Sequence, residues 1–127
     1  CMQAEIRQML EQGGGRIVNM ASATSRNTYP NASPYVTSKF AVAGLTRTVA
    51  VEYANRDIRI NAICPGNVAT PLVVSLVEDL SVLATKHAIN RLGTPQEVAN
   101  GVMYLASDLS SFSTGSLLEV DGGWNAI

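Results

Sequence analysis

Three short stretches of the chain carry the apolar pattern of β-strands, and the longer stretches between them carry helical spacing. Residues 16–21 form a compact apolar run, and residues 57–64 alternate apolar and polar side chains. Both patterns are typical of strands. Residues 117–120 form a third short run. A Pro-Gly pair ends the second predicted strand and an Asp-Gly-Gly turn closes the third, because Pro and Gly interrupt strand pairing.

The predicted helices occupy most of the remaining chain. The first runs from the start of the sequence to the glycine triplet at 13–15, which supplies a stop. A longer one runs from Pro34 to about residue 54, and another from Pro95 to residue 106, because proline suits the first turn of a helix. Residues 71–85 form a further helix-rich stretch, which leads into a connection through 90–94.

The order of these elements determines the fold class. Helix, strand, helix, strand, helices and strand in succession require parallel strands joined by right-handed crossovers. The sequence therefore predicts an α/β fold with part of a doubly wound parallel sheet. The first residue is Cys1 and no capping residue precedes the opening helix, which indicates a start inside a longer domain.

The long helix is apolar on all sides. Phe40, Leu45, Val49 and Tyr53 recur near helical spacing, as expected of one apolar face of a helix. Small or short side chains form a second face that would let another helix approach closely, and this face predicts contact with a second subunit. Its members are Ala41, Val42, Gly44 and Thr48.

Composition narrows the possible functions. The 127 residues are 46% hydrophobic and 15% charged, which is enough for one buried core. Nine basic and ten acidic residues give a net charge of −1, without the basic surplus that nucleic-acid binding requires. We expect no nucleic-acid partner, no membrane insertion and no metal site, because no long apolar run and no ligand spacing is found. Two cysteines favour a reducing, cytoplasmic setting.

Polar chemistry should gather at the carboxyl ends of the strands, where parallel α/β sheets bind their ligands. Ser22 follows the first strand and leads into a loop over 23–33 that is rich in Ser, Thr and Asn. Tyr35 and Lys39 lie four residues apart on the next helix, so both should project from one face toward that loop. A nearby ammonium group stabilises a phenolate and makes tyrosine a usable proton carrier. A serine hydroxyl can donate to a substrate carbonyl oxygen.

Each of these residues also has a purely structural interpretation. Tyr35 and Lys39 could be an ordinary surface pair, Ser22 a strand-end cap, and Pro65-Gly66 only a strand terminator. We further predict that Asn61 is structural, that the segment 121–123 is a turn, and that His87, the only histidine, is a solvated helix or loop residue. Met103 and Tyr104 are expected on the core face of their helix.

Taken together, the motifs resemble those of the short-chain dehydrogenases/reductases. Tyr-Val-Thr-Ser-Lys at 35–39 has that family's Tyr-x-x-x-Lys signature, with a serine at the usual distance upstream. Five further segments agree with the family: Gly-Arg-Ile-Val-Asn at 15–19, Arg-Ile-Asn-Ala-Ile-Cys-Pro-Gly at 59–66, Arg-Leu-Gly-Thr-Pro-Gln-Glu-Val-Ala at 91–99, Tyr-Leu-Ala-Ser-Asp at 104–108 and Val-Asp-Gly-Gly at 120–123. The resemblance implies the C-terminal half of a doubly wound Rossmann fold, with residues 1–127 as part of a single domain.

The resemblance also implies a function. The protein would be an NAD(P)-dependent oxidoreductase that acts on a small alcohol or carbonyl substrate and assembles as a homodimer or homotetramer. Tyr35 would be the general acid/base, Lys39 would contact the nicotinamide ribose, and Ser22 would position the substrate oxygen. The remaining cofactor contacts would come from the residues after the second strand: Pro65 and Gly66 along the nicotinamide, and the Val68 backbone and Thr70 hydroxyl at its carboxamide.

Two other interpretations remain open. The family's glycine-rich turn, which places the cofactor pyrophosphate at a helix N-terminus, has no counterpart in these residues, because the glycines at 13–15 precede a strand. The chain alone could therefore be a catalytically silent fragment that acts only in packing or oligomerisation. An epimerase or dehydratase relative with the same Tyr and Lys is a third class.

Residues 71–88 are the expected substrate lid, with apolar side chains at Leu72, Val73, Val74, Leu76 and Leu80.

Overall fold

The computed structural model describes residues 1–126, which form an α/β fold around a three-stranded sheet. The strands are β1 (Gly15–Met20), β2 (Ile58–Pro65) and β3 (Leu117–Val120). All are parallel, in the order β1-β2-β3, so β2 is central. The predicted fold class is confirmed, and each predicted strand is found within about one residue of its expected bounds.

Five α-helices connect and flank the strands. They are α1 (Met2–Gln12), α2 (Ser33–Tyr53), α3 (Pro71–Leu76), α4 (Ser81–Ala84) and α5 (Pro95–Ala106). The helix-rich stretch after β2 is thus two short helices, because Val77 is extended and ends α3. Short 3-10 turns complete the description at Ala23–Ser25, Ala54–Arg56, Asp108–Ser110 and Trp124–Ala126.

One face of the sheet packs against α1 and α2. Ile6 of α1, Ile17 of β1 and Ala50 of α2 form one buried cluster with Ile58 and Ile60 of β2. A second cluster lies toward the carboxyl ends of the strands, where Val42 of α2 packs on buried Ala21, Ala62 and Cys64. Together they hold the first turns of α2 beside the end of β1, which is where the candidate site lies.

The opposite face packs against α5. Gly101 of α5 lies so close to the sheet that a Cβ there would be 2.5 Å from Cδ1 of Ile63. Arg59 and Asn61 also point to this side, and both are buried. The Asn61 amide donates to the carbonyl of Ser113 at 2.9 Å and its oxygen accepts from the N–H of Ser116 at 2.9 Å. The structural role predicted for Asn61 agrees with these bonds.

Two predictions about helix faces are wrong. In α2, Val42 was expected on the face toward a second subunit but packs inward; Val49 and Tyr53 also contact the core, whereas Phe40 and Leu45 are 44% and 52% exposed. In α5, Met103 and Tyr104 are 67% and 42% exposed, because the face toward the sheet is the one that carries Gly101 and Leu105.

Within residues 1–126, every helix is too short or too polar to cross a membrane. Over the same residues, no three or more His, Cys, Asp or Glu side chains gather closely enough to hold a metal ion.

Candidate active site

Ser22 lies at the carboxyl end of β1, where the backbone leaves the sheet. Its side chain is almost fully buried and caps the 3-10 turn Ala23–Ser25. The Oγ atom of Ser22 accepts hydrogen bonds from the N–H of Thr24 at 3.2 Å and from the Thr24 hydroxyl at 3.0 Å. With both bonds accepted, the hydroxyl proton of Ser22 remains available for donation. The capping role that the sequence allowed is thus real, and it orients the hydroxyl.

Ser25 connects this turn to α2. Its hydroxyl accepts from the N–H of Ser22 at 3.2 Å and donates to the carbonyl oxygen of Lys39 at 3.1 Å. Ser25 is itself buried, so this connection lies inside the protein. The sequence offered a weak signal for it, since a serine three residues after another serine is a capping-box spacing. The bond keeps the Ser22 turn and the first turns of α2 in a constant relation.

Tyr35 and Lys39 occupy successive turns of α2 on the side facing β1. The ammonium of Lys39 donates to the carbonyl oxygen of Met20 at 3.0 Å and lies 5.5 Å from the centre of the Tyr35 ring. Because Met20 is the last residue of β1, this bond anchors the lysine at the strand end. The phenol of Tyr35 is half exposed, at 49%. The predicted projection of both side chains toward one region is therefore found.

Ser22 and Tyr35 line one cavity of about 470 Å³, and Gly66 contributes to the same cavity. Its wall is mostly apolar, which suits a ligand with a hydrocarbon body and few polar groups. Val73 and Leu76 of the expected lid segment are among the apolar lining residues, whereas Leu72 and Val74 are not, and Leu76 is itself 73% exposed. The lining residues are Ser22, Thr24, Tyr29, Ala32, Tyr35, Gly66, Asn67, Val73, Leu76, Val77, Leu83 and Trp124.

Lys39, Pro65, Val68 and Thr70 lie outside the lining of this cavity. Pro65 ends β2, and the segment after it pairs with the chain just ahead of α5: Ala69 donates to the carbonyl of Gly93 at 2.9 Å. The hydroxyl of Thr70 caps α3 by accepting from the N–H of Val73 at 3.3 Å. This backbone is held in place, so its polar groups have constant positions beside the cavity.

His87 is buried, with only 3% of its surface exposed, so the prediction of a solvated residue is wrong. Its ring lies between the turn after β2 and the turn after β3. Nδ1 is 2.5 Å from the carbonyl oxygen of Asp121, and Nε2 accepts from the N–H of Asn67 at 3.3 Å. The sequence could not show this, because the two partners are 34 and 20 residues away.

Two aromatic residues in the lining of this cavity were not among the predicted site residues. Tyr29 and Trp124 both line the cavity, with ring centres 6.4 Å apart in an edge arrangement. The Lys86 ammonium lies 4.6 Å from the centre of the Tyr29 ring and 5.9 Å from that of Trp124. Trp124 follows the Asp-Gly-Gly turn, which is present as predicted. Asp121 accepts the N–H groups of Gly123 and Asn125 and fixes this turn.

Comparisons with known proteins give a consistent result. A family described as enoyl-(acyl carrier protein) reductase matches residues 1–125. The chain is 43% identical over 128 residues to cis-4-hydroxycyclohexanecarboxylate dehydrogenase of Sinomonas cyclohexanicum, with 100% of the chain and 51% of the relative covered. It is 44% identical over 125 residues to cyclohexanol dehydrogenase of Acinetobacter sp. (strain SE19), with 98% and 49% covered.

A solved structure agrees equally well. The structure described as "ElxO with NADP Bound" superimposes with a TM-score of 0.95 at 34% identity and covers 100% of this chain and 53% of that chain. The chain thus spans about half the length of the curated relatives and the solved structure that it matches.

Proposed function

This chain belongs to the short-chain dehydrogenase/reductase family, and we propose that the protein is an NAD(P)-dependent oxidoreductase in which Tyr35 exchanges the proton. Its substrate pair would be a small alcohol and the corresponding carbonyl compound. The observation that carries the proposal is the shared cavity, which brings the Tyr35 phenol and the Ser22 hydroxyl, from separate elements, to one small space.

The proton chemistry falls to Tyr35. When bound, the nicotinamide supplies a hydride to the carbonyl carbon in reduction and accepts it in oxidation. The phenol of Tyr35 gives its proton to the carbonyl oxygen in the first direction and takes one from the alcohol in the second, so charge and atoms balance. The Lys39 ammonium, 5.5 Å from the centre of the Tyr35 ring, is the positive charge beside this phenol.

Ser22 supports the same step without exchanging a proton. Its Oγ already accepts from both donors of Thr24, so its own O–H is left to donate to the substrate oxygen. A donor aimed at that oxygen stabilises the negative charge that develops there in reduction. Because the capping bonds and Ser25 hold the turn, little reorganisation is needed when a substrate binds.

The residues present fit the nicotinamide end of a dinucleotide. A ribose needs partners for two hydroxyl groups, and the Lys39 ammonium and Tyr35 phenol offer them on one helix face. Gly66 and Pro65 would lie along the ring, and the Val68 backbone and Thr70 hydroxyl would hold the carboxamide. The Thr70 hydroxyl accepts one bond from Val73, which leaves its proton for an amide oxygen. Either NAD or NADP satisfies these contacts.

A substitution in the intact protein tests the proposal. Tyr35→Phe should lower turnover with NADH or NADPH by a factor of about 10²–10⁴, the usual worth of a positioned acid/base, without loss of folding. Tyr104→Phe, which changes an exposed tyrosine of α5, is the matched control and should retain turnover. Near-normal turnover in Tyr35→Phe would contradict the mechanism.

We also infer that the family's usual self-association, as a homodimer or homotetramer, applies to this protein. Of the small-residue face predicted for subunit contact, Ala41, Gly44 and Thr48 are exposed and Val42 is not; the exposed side chain of Leu45 lies beside this face. Leu45→Glu should shift the assembly toward smaller species in light scattering if this face is the contact. An unchanged mass would exclude this face as the subunit contact.

The two free cysteines support a reducing, cytoplasmic setting for the protein.

The alternative is that these residues alone form a catalytically silent packing unit within a larger domain. The observation that favours it is local: Gly13 ends α1 and the two glycines after it lead into β1, so this triplet does not open a helix as a pyrophosphate-binding turn does. A titration of the 127-residue chain with NADH and NADPH separates the two. Saturable binding at micromolar cofactor would exclude the silent unit.

A further inference from the structure

The imidazole of His87 joins the two turns that follow β2 and β3. Its Nδ1 is 2.5 Å from the carbonyl oxygen of Asp121, in the turn after β3. Its Nε2 is 3.3 Å from the backbone nitrogen of Asn67, in the turn after β2, and 3.2 Å from the side-chain nitrogen of the same residue. Asn67 and Gly66 line the candidate active site. The proton exchange described above does not use His87.

The two partners determine the state of the ring. A backbone carbonyl only accepts a hydrogen bond and a backbone N–H only donates one. The imidazole satisfies both when it is neutral and carries its proton on Nδ1. A ring protonated on both nitrogens, or on Nε2 alone, would point an N–H at the N–H of Asn67, and the bond to that turn would be lost.

The ring also packs tightly on the residues around it. A Cβ at Gly66 would lie 2.5 Å from Cε1 of His87 and 3.0 Å from Nδ1, so only glycine allows this contact. On another side the ring meets the edge of Trp124, with ring centres 5.5 Å apart at 81°. The imidazole is thus held between a strand-end turn and one wall of the cavity.

We propose that His87 is a positioning residue that holds the Gly66–Asn67 turn where the nicotinamide binds. The inference rests on the proposed function, since it assigns a cofactor to that turn. His87 touches no reacting atom. It acts through the backbone of Asn67 and through contact with Gly66, and its loss lets the turn move away from the cofactor.

The tautomer is the first test, and it needs no turnover. In the intact protein labelled with ¹⁵N-histidine, His87→Gln identifies the His87 signals by their disappearance. We expect the proton on Nδ1 and Nε2 as the acceptor, as the two hydrogen bonds require. A proton on Nε2 would overturn the inference, because the bond to Asn67 then cannot form.

Cofactor affinity is the second test. His87→Phe keeps a ring of similar size and removes both hydrogen bonds, whereas His87→Gln keeps one donor and one acceptor. We expect the dissociation constant for NADH or NADPH, whichever the wild type binds more tightly, to rise about tenfold in the Phe variant, the equivalent of about 1.4 kcal/mol. The Gln variant should recover most of that affinity, and the KM for the alcohol should change less than the KM for the cofactor.

The outcomes separate this inference from the proposed function. A folded His87→Phe variant that binds cofactor as tightly as the wild type would make the inference wrong and leave the proposed function intact. A wild-type protein without nicotinamide binding or turnover would make the proposed function wrong, and the cofactor role of His87 with it. If the Phe variant does not fold, His87→Leu, which also removes both hydrogen bonds, carries the test: the cofactor KM should rise while kcat holds, and an unchanged cofactor KM would make the inference wrong.

Discussion

The two faces of β2 are both buried, but their chemistry differs. Toward α1 and α2 the strand presents Ile58 and Ile60, which have no exposed surface and pack in an apolar cluster. Toward α5 it presents Arg59 and Asn61, and these are 7% and 0% exposed. The guanidinium of Arg59 donates to the carbonyls of Leu105, Ser107 and Ser113 at 3.1, 2.9 and 3.2 Å.

The difference shows that the two layers of the fold are attached by different forces. On the apolar face, any side chain that fills the volume contributes through its buried surface. On the polar face, burial is tolerated only because specific hydrogen bonds replace the lost water. Arg59 reaches carbonyls at the end of α5 and in the segment after it, so it also positions β3. Burial, followed by the positive charge of Arg16, lowers the pKa of the Arg59 guanidinium, and the carboxylates of Asp108 and Asp57 partly oppose this shift.

Removal of volume from the apolar face should have the largest effect. Ile60→Ala leaves a cavity between the sheet and α2, and we expect the free energy of unfolding to fall by about 2–5 kcal/mol. Val51→Ala, at a position of α2 that is 80% exposed, is the control and should change it by less than about 0.5 kcal/mol. Equal losses in chemical denaturation would mean that the cluster is not the core.

Removal of the hydrogen bonds on the polar face should have the next largest effect. Arg59→Met keeps much of the side-chain volume but leaves backbone carbonyls without their donor, which should cost about 1–3 kcal/mol. Arg7→Met, at an exposed position of α1, is the matched control. The measurement is the same denaturation series. If the Met variant is as stable as the wild type, these bonds contribute nothing net, and the contrast between the faces disappears.

The start of α5 should contribute a smaller, pH-dependent effect. The side chain of Arg91, followed by the backbone and hydroxyl of Thr94, lowers the pKa of Glu97 from 4.5 to about 2. A carboxylate whose pKa is lowered by folding stabilises the folded state at every pH above its pKa in the unfolded chain. This contribution is lost as the pH falls toward about 2. The free energy of unfolding should therefore fall less steeply below pH 4.5 in Glu97→Gln than in the wild type or in Glu52→Gln. Identical slopes of the free energy of unfolding against pH in the three proteins would contradict this prediction.

The smallest effect concerns thiol reactivity. Cys64 lies on the apolar face with no exposed surface, and burial raises the pKa of its thiol. Thiolates are the reactive form, so Cys64 should react far more slowly with a thiol reagent than the exposed Cys1. Peptide mapping after a short exposure distinguishes the two. Rapid labelling of Cys64 in the folded protein would mean that this face opens readily.

Most of the fold was predictable because its signals are local. Strand residues 58–64 and the helix that begins at Pro95 follow from alternation and from a proline in the first turn. The parallel sheet follows from the order of elements. The core faces of α2 and α5 were not predictable, because their spacing allows several faces and only contact with the sheet decides between them. Phe40 and Met103 are the cases in point.

The candidate site likewise has a part that the sequence predicted and a part that depends on contacts between distant residues. Tyr35 and Lys39 are four residues apart, so their common direction is a property of one helix. Trp124 and Tyr29 line the cavity and His87 packs against Trp124, but the three come from distant parts of the chain, and neither their spacing nor their neighbours indicated these contacts. The roles assigned to Ser22, Tyr35, Lys39 and the segment after β2 remain predictions until the substitutions are made.

By itself, the sequence determined which segments are strands and helices, the parallel order of the sheet, and the pairing of a phenol with an amine on one helical turn. Periodicity and turn residues act over a few positions, so a chain carries this information without reference to its partners. Only the tertiary structure decided that polar Arg59 and Asn61 are buried, that α2 turns its small residues inward, and that His87 joins two strand ends. Those outcomes depend on which surfaces meet across tens of residues, where complementary volume and hydrogen-bond partners select the arrangement.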